Sequence, residues 1–107
     1  MLEIIKRSGN AEAYDRDKIT NAVRKAFLST QTEISESALE AITDAVEARI
    51  PMLPPPVSVE QIQDLVEETL MLKGYFAQSK SYILYRSERT RMRAQRKSIA
   101  SLFAEGA

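Results

Sequence analysis

Pro51 and the run Pro54-Pro55-Pro56 sit near the midpoint of a 107-residue chain, and they decide more about its fold than any other feature. Proline lacks an amide donor and pushes the preceding residue out of the helical region, so no helix crosses this stretch and the chain runs extended through it. The sequence is thereby divided into a half before residue 51 and a half after residue 56. The two must share one core, because a chain of this length forms a single domain.

Before the prolines, Leu2-Glu3-Ile4-Ile5-Lys6 and Ala11-Glu12-Ala13-Tyr14 read as short strands, and Ser8-Gly9-Asn10 between them supplies residues that tolerate positive φ. A tight β-hairpin is expected, and two strands alone are marginal in water, so it must lie on something apolar. Asp15 is a good N-cap and Asp17 suits a first turn, which opens a helix over Arg16–Ser29 with Ile19, Val23, Ala26 and Phe27 inward. Ser29-Thr30-Gln31-Thr32 ends it. Ser37 with Glu40 forms a capping box for a second helix whose apolar face is Leu39, Ile42, Val46 and Ile50.

After the prolines, Val57-Ser58-Val59 is expected to add a short strand at the hairpin's edge. Ser58 with Gln61 is a second capping box, for a helix from about Val59 to Lys73 with core positions Ile62, Leu65, Val66, Thr69 and Leu70, and Gly74 stands where a left-handed C-cap is wanted. From Tyr75 a fourth helix carries Phe76, Ile83, Leu84 and Met92, and its first half is expected to complete a bundle. Its second half is polar all round and leaves the core or frays. Tyr75, Phe76, Tyr82 and Tyr85 are read mainly as core residues rather than a base-stacking surface.

Composition removes many chemistries. The chain has no cysteine and no histidine, which excludes disulfides, thiol nucleophiles, zinc sites and imidazole acid/base catalysis within it. No run of eighteen apolar residues and no signal-peptide pattern is present, so a cytoplasmic location is expected. The formal net charge is zero, yet residues 1–85 hold nine basic and thirteen acidic side chains while 86–97 hold six basic and one acidic. That basic stretch could meet nucleic acid through phosphates, but it lacks interleaved aromatics or a reader motif.

The sharpest group is Lys6, Arg7 and Lys18. The hairpin should return Glu12 beside Lys6, and Lys18 lies one turn inside the first helix, whose N-terminus favours anions through its free amides and its dipole. Three cations and a helix start suit a triphosphate. The same residues also serve as edge charges that prevent strand pairing between molecules, and spacing leaves both readings open. No glycine-rich Lys-Ser/Thr loop is present. Asp15 and Asp17 are explained by capping rather than by metal binding, and Glu12 suits a ribose hydroxyl or a cross-strand partner for Lys6.

Ile4-Ile5-Lys6-Arg7-Ser8-Gly9, Tyr14-Asp15-Arg16-Asp17-Lys18-Ile19, Val57 through Glu67, and Lys80-Ser81-Tyr82-Ile83-Leu84-Tyr85-Arg86 together resemble the four blocks of the ATP-cone, the regulatory nucleotide-binding module found chiefly at the N-terminus of ribonucleotide reductases. The resemblance spans residues 2 to about 92. It implies an α+β fold in which a four-helix bundle is capped by a small three-stranded mixed sheet, with residues 93–107 as a basic helical extension or linker. It further implies ATP or dATP, with Mg2+, as an effector between sheet and helices. Lys6 and Arg7 would hold phosphates, Glu12 through Lys18 (including Asp15) would wrap the nucleotide, Ile19 and Val59 would meet the base, and Gln63 would lie near base or sugar.

The chain departs from that pattern at Ser87, where some reductase cones carry a lysine whose charge Lys80, Arg86 or Arg89 would have to supply, and at Ser8, where the family usually has aspartate or asparagine. The implied role is regulatory, without catalytic residues of its own: control of activity or association of a ribonucleotide reductase, whose catalytic domain or subunit is the expected partner, with self-association through helix faces. The basic tail leans toward the anaerobic type. The transcriptional repressor that shares the module carries a cysteine zinc ribbon, which this chain lacks. The competing readings are a stand-alone cone or nucleic-acid-binding helical protein acting through 86–97, and an enzyme acting on phosphates.

Overall fold

The computed structural model describes residues 2–6 and 8–105, with side chains described as far as Met92. In chain order the elements are β1 (Glu3–Ile5), β2 (Ala11–Ala13), α1 (Arg16–Ser29), α2 (Glu36–Arg49), a 3-10 turn (Ile50–Met52), β3 (Val57–Ser58), α3 (Val59–Leu72) and α4 (Phe76–Glu105). The sheet order is β2-β1-β3, with β1 antiparallel to β2 and parallel to β3, so the mixed sheet and four helices expected from the sequence are present. The helices form a ring in which α1 packs on α2, α2 on α3, α3 on α4 and α4 on α1.

The prolines end α2 as expected, but the chain is not extended from Pro51 onward: it first makes a 3-10 turn. The 3-10 turn Ile50–Met52 carries Pro51 at its start, and the next three prolines deliver the chain to β3 beside β1. Ile4 of β1 and Val57 of β3, paired in register, are 4% and 5% exposed and join one core with Ile19, Val23 and Phe27 of α1, Leu39, Ile42 and Val46 of α2, and Ile62, Val66 and Leu70 of α3. Within it the hydroxyls of Thr20 and Thr43 satisfy each other across α1 and α2 at 2.8 Å, as most buried polar groups are satisfied.

Helix ends follow local chemistry. Asp15 caps α1, and Ser58 and Gln61 form the anticipated capping box on α3. Gly74, at φ 87°, closes α3 as the Tyr75 amide donates to the Leu70 carbonyl (2.8 Å) and the Gly74 amide to Met71 (3.0 Å), a Schellman arrangement. The same pair of bonds ends α1, from Thr32 to Phe27 and from Gln31 to Leu28, with Gln31 adopting φ 55° in place of a glycine.

Two expectations are corrected. Helix α2 starts two residues early: Ser35 is the N-cap, its hydroxyl accepting from the Ala38 amide at 3.1 Å, rather than Ser37 with Glu40. The earlier start places Ile34 just before the cap, where it packs on the core, and Leu39 at the fourth helical position, the spacing of a hydrophobic staple. Apolar contact outweighs the box.

Helix α4 is turned the other way from expectation. Phe76, Ile83, Leu84 and Met92 are exposed, whereas Gln78, Ser79 and Tyr82 are buried; of the four aromatics, Tyr82 is buried, Tyr75 half-buried, and Phe76 and Tyr85 exposed. The inward face is chosen by bonds that an apolar stripe cannot make. Gln78 Nε2 donates to the hydroxyls of Thr30 (2.8 Å) and Thr32 (3.1 Å) at the end of α1, Ser79 Oγ donates to the Glu67 carbonyl (3.2 Å), and Tyr75 meets Phe27 edge-to-face at 5.1 Å.

Each half of the ring is clamped by one arginine against an acidic stripe spaced i, i+4, i+7. Arg16 of α1 reaches Glu40, Asp44 and Glu47 on α2, and Arg86 of α4 reaches Glu60, Asp64 and Glu67 on α3. The Tyr14 hydroxyl also donates to Glu47, at 2.7 Å, and burial first, then this carboxylate, hold its proton well above the usual phenol range. For Arg86 burial works against the charge, but the bonds to Glu67, Asp64 and Glu60 outweigh it and keep the guanidinium ionised beyond the ordinary arginine range.

These assignments separate in stability measurements. Ser35→Ala is expected to cost about 1 kcal/mol and Ser37→Ala less than about 0.5 kcal/mol in urea unfolding; the reverse order would restore the Ser37 cap. The Arg86 side chain is only 15% exposed and its partner Glu67 only 21%, so Arg86→Met, which takes the ion pair from that half-buried carboxylate, is expected to cost about 2 kcal/mol, against less than about 0.5 kcal/mol for the exposed neighbour in Ser87→Ala. Equal effects would remove the clamp from the account.

Candidate functional site

Residues directly opposite in a sheet share a face. Glu12 of β2 and Val57 of β3 are both register partners of Ile4, so Glu12 points to the helix side of the sheet although β2 is an edge strand. Its side chain is 27% exposed. Lys6, two residues beyond Ile4, emerges at the neck of the hairpin. There its backbone is held on both sides, the Lys6 amide donating to Asn10 (2.8 Å) and the Gly9 amide donating to the Lys6 carbonyl (2.9 Å), with Gly9 at φ 91°.

The contact of Glu12 with Lys6 is diagonal across the hairpin, 3.9 Å from Oε2 to Nζ. The same Oε2 accepts from Lys18 Nζ at 3.1 Å. The structure therefore gathers Lys6, Glu12 and Lys18 from three separate elements into one cluster. Arg7, the remaining expected cation, lies outside the described residues.

The start of α1 behaves differently from the expectation of free amides. Asp15 Oδ1 accepts from the Asp17 amide at 3.0 Å, and Asp17 adds a second carboxylate in the first turn. The helix dipole is already met by negative charge there, which leaves the lysines as the main attraction for an anion. Next to Lys18, Ile19 is buried in the core, and Val59, in the first turn of α3, packs against it.

Gln63 lies one turn beyond Val59. Its Oε1 is buried and has no hydrogen-bond partner, an uncommon state for a buried acceptor. Of the other expected cations, Lys80 is exposed on α4, Arg86 is saturated by its three carboxylates, and Arg89 lies 5.7 Å over the Tyr85 ring and donates to its hydroxyl at 2.9 Å. None of these three is joined by a described contact to the Glu12 cluster.

Two surface grooves lie elsewhere: one of about 570 Å³ along α3 and α4, bordered by Glu67, Ile83 and Arg86, and one of about 770 Å³ at the turn from α1 to α2, bordered by Phe27, Leu28 and Ile34. Neither includes Lys6, Glu12, Lys18 or Gln63. The two arginine clamps are not among the sequence expectations, although the matched spacings of Glu40, Asp44, Glu47 and of Glu60, Asp64, Glu67 are legible as acidic stripes. Among the described residues no group of acids is placed to hold a metal ion, and no helix is long and apolar enough to cross a membrane.

Comparison with known proteins agrees with the architecture. Residues 2–91 match the ATP cone domain. The chain is 39% identical over 110 residues to the ribonucleoside-diphosphate reductase subunit alpha of Treponema pallidum, covering 97% of this chain and 13% of that protein. It is 39% identical over 99 residues to the vitamin B12-dependent ribonucleoside-diphosphate reductase of Thermoplasma acidophilum, covering 88% and 13%. It is also 34% identical over 86 residues to the transcriptional repressor NrdR of a Picosynechococcus strain, covering 79% and 46%. The chain thus spans about an eighth of the reductases it resembles, and these relatives lend no support to the expected leaning toward the anaerobic type. With the sheet order, the four-helix ring and the match over residues 2–91 in agreement, this chain belongs to the ATP-cone family.

Proposed function

We propose that this domain binds ATP or dATP as an effector and conveys the bound state to a ribonucleotide reductase, without chemistry of its own. The observation that carries the reading is the convergence of Lys6 and Lys18 on one carboxylate oxygen. Two lysines with fixed backbones are point charges suited to phosphate oxygens. Lys6, Arg7 and Lys18 would hold the phosphates, with Lys80 a further cation from α4. Glu12 and Asp15 would border the nucleotide, and Ile19 and Val59 would offer the base an apolar wall.

Gln63 Oε1 would take a donor from base or sugar, which answers its lack of a partner. Mg2+ would be carried by the phosphates themselves. Regulation requires that ATP and dATP favour different conformations or assemblies of the partner by different amounts. That partner is a reductase catalytic domain or subunit, met through the helix faces, with residues 93–107 leading out of the domain.

The similarity to a transcriptional repressor supports a second reading, a nucleotide-sensing module of a DNA-binding protein. Salt-dependent binding of duplex DNA by the 107-residue chain, lost on removal of residues 93–107, would favour it.

Titration calorimetry of the chain with ATP and with dATP is expected to give saturable heats. No heat and no thermal shift at millimolar nucleotide would end the effector reading. Lys6→Ala and Lys18→Ala are each expected to weaken ATP about five- to tenfold, a loss of roughly 1–1.4 kcal/mol, with an unchanged circular dichroism spectrum; loss of the spectrum would make them structural. Gln63→Leu removes an unsatisfied acceptor, so its unfolding midpoint should stay level or rise while nucleotide affinity falls. A lowered midpoint with unchanged affinity would place Gln63 in the fold alone.

A further inference from the structure

Glu12 lies between the two lysines of the hairpin cluster. Its Oε2 stands 3.1 Å from Lys18 Nζ and 3.9 Å from Lys6 Nζ, and its side chain is turned toward the helices and half-covered. Among the described residues neither lysine pairs with any other acid. The two lysines also come from anchored backbone: Lys6 is bonded through both amide and carbonyl at the hairpin neck, and the Lys18 amide donates to the Asp15 carbonyl in the first turn of α1. Removing the carboxylate would leave the two cations facing the same point.

Resting on the nucleotide reading, we infer that Glu12 is the resident counter-ion of the phosphate site, an internal anion that a polyphosphate displaces in order to bind. One carboxylate oxygen bridging two ammonium groups makes the contact that a non-bridging phosphate oxygen would make. Because it is tethered in the same chain, it competes at a high effective concentration whatever the solution contains. A ligand with one phosphate gains too few contacts to evict it, whereas a triphosphate offers several. The carboxylate therefore selects for phosphate number and sets the threshold concentration of the effector.

The test is calorimetric titration of the full chain and of Glu12→Gln with tripolyphosphate, orthophosphate and ATP. Each exposed ion pair contributes modestly, so Glu12→Gln is expected to bind tripolyphosphate about three- to tenfold more tightly and to narrow the preference over orthophosphate. In a Lys18→Met background, where the shorter of the two contacts is already gone, the gain should shrink to less than about twofold. That double variant also separates the device from a general change in fold. If the parent chain binds ATP and tripolyphosphate but Glu12→Gln binds tripolyphosphate equally or more weakly, this inference falls and the nucleotide reading stands. If neither parent nor variant binds either ligand, both fall together.

Discussion

The pairing of Ile4 with Val57 is the contact on which the rest of the molecule depends. One residue comes from the start of the chain and the other from beyond the prolines, and their parallel register ties the first half to the second. That register places the N-terminus of α3 beside the end of β1, so Val59 follows directly on the residue paired with Ile5, one position before Lys6. The antiparallel register with β2 then turns Glu12 to the same side. Burial of both side chains in the common core makes a one-residue slip costly, because a slip would carry each of them to the opposite face.

The helix ring is held by a different kind of force. Its inner surface is largely apolar on α1, α2 and α3, with Thr20, Thr43 and Thr69 among the buried residues, while α4 contributes Gln78, Ser79, Tyr82 and Arg86. Hydrogen bonds and ion pairs of this sort add little net stability apiece, but they are directional. They fix the rotation of α4 about its axis, which an apolar stripe alone would leave to compete with Phe76, Ile83 and Leu84. The two arginine clamps work likewise, fixing α1 on α2 and α4 on α3.

Much of this was legible in the sequence because it is written in local chemistry. Asp15, Ser58 with Gln61, and Gly74 set the limits of α1 and α3, and the apolar spacing of those helices matches their buried faces. The start of α2 was misplaced because Ser35 and Ser37 are equivalent as caps until Ile34 is given a core to touch. The facing of α4 differs from the sequence expectation because hydrophobic periodicity cannot weigh Gln78 against two threonines at the end of another helix. Lys6, Glu12 and Lys18 were found together since hairpin pairing and one helical turn bring them together. The orphaned Oε1 of Gln63 has no sequence signal, as it exists only through burial.

Helix α4 runs without a break from Phe76 to Glu105, and among the described residues its last ion pair to another helix is at Arg86. Arg86 and Glu105 are nineteen helical steps apart, which at 1.5 Å per step is an arm about 28 Å long. A stiff arm with its pivot at one end converts angle into distance: a tilt of about 10° at the pivot carries the far end through about 5 Å. A change in the geometry of the three carboxylates around one guanidinium is thus amplified into the position of the far end of the fourth helix.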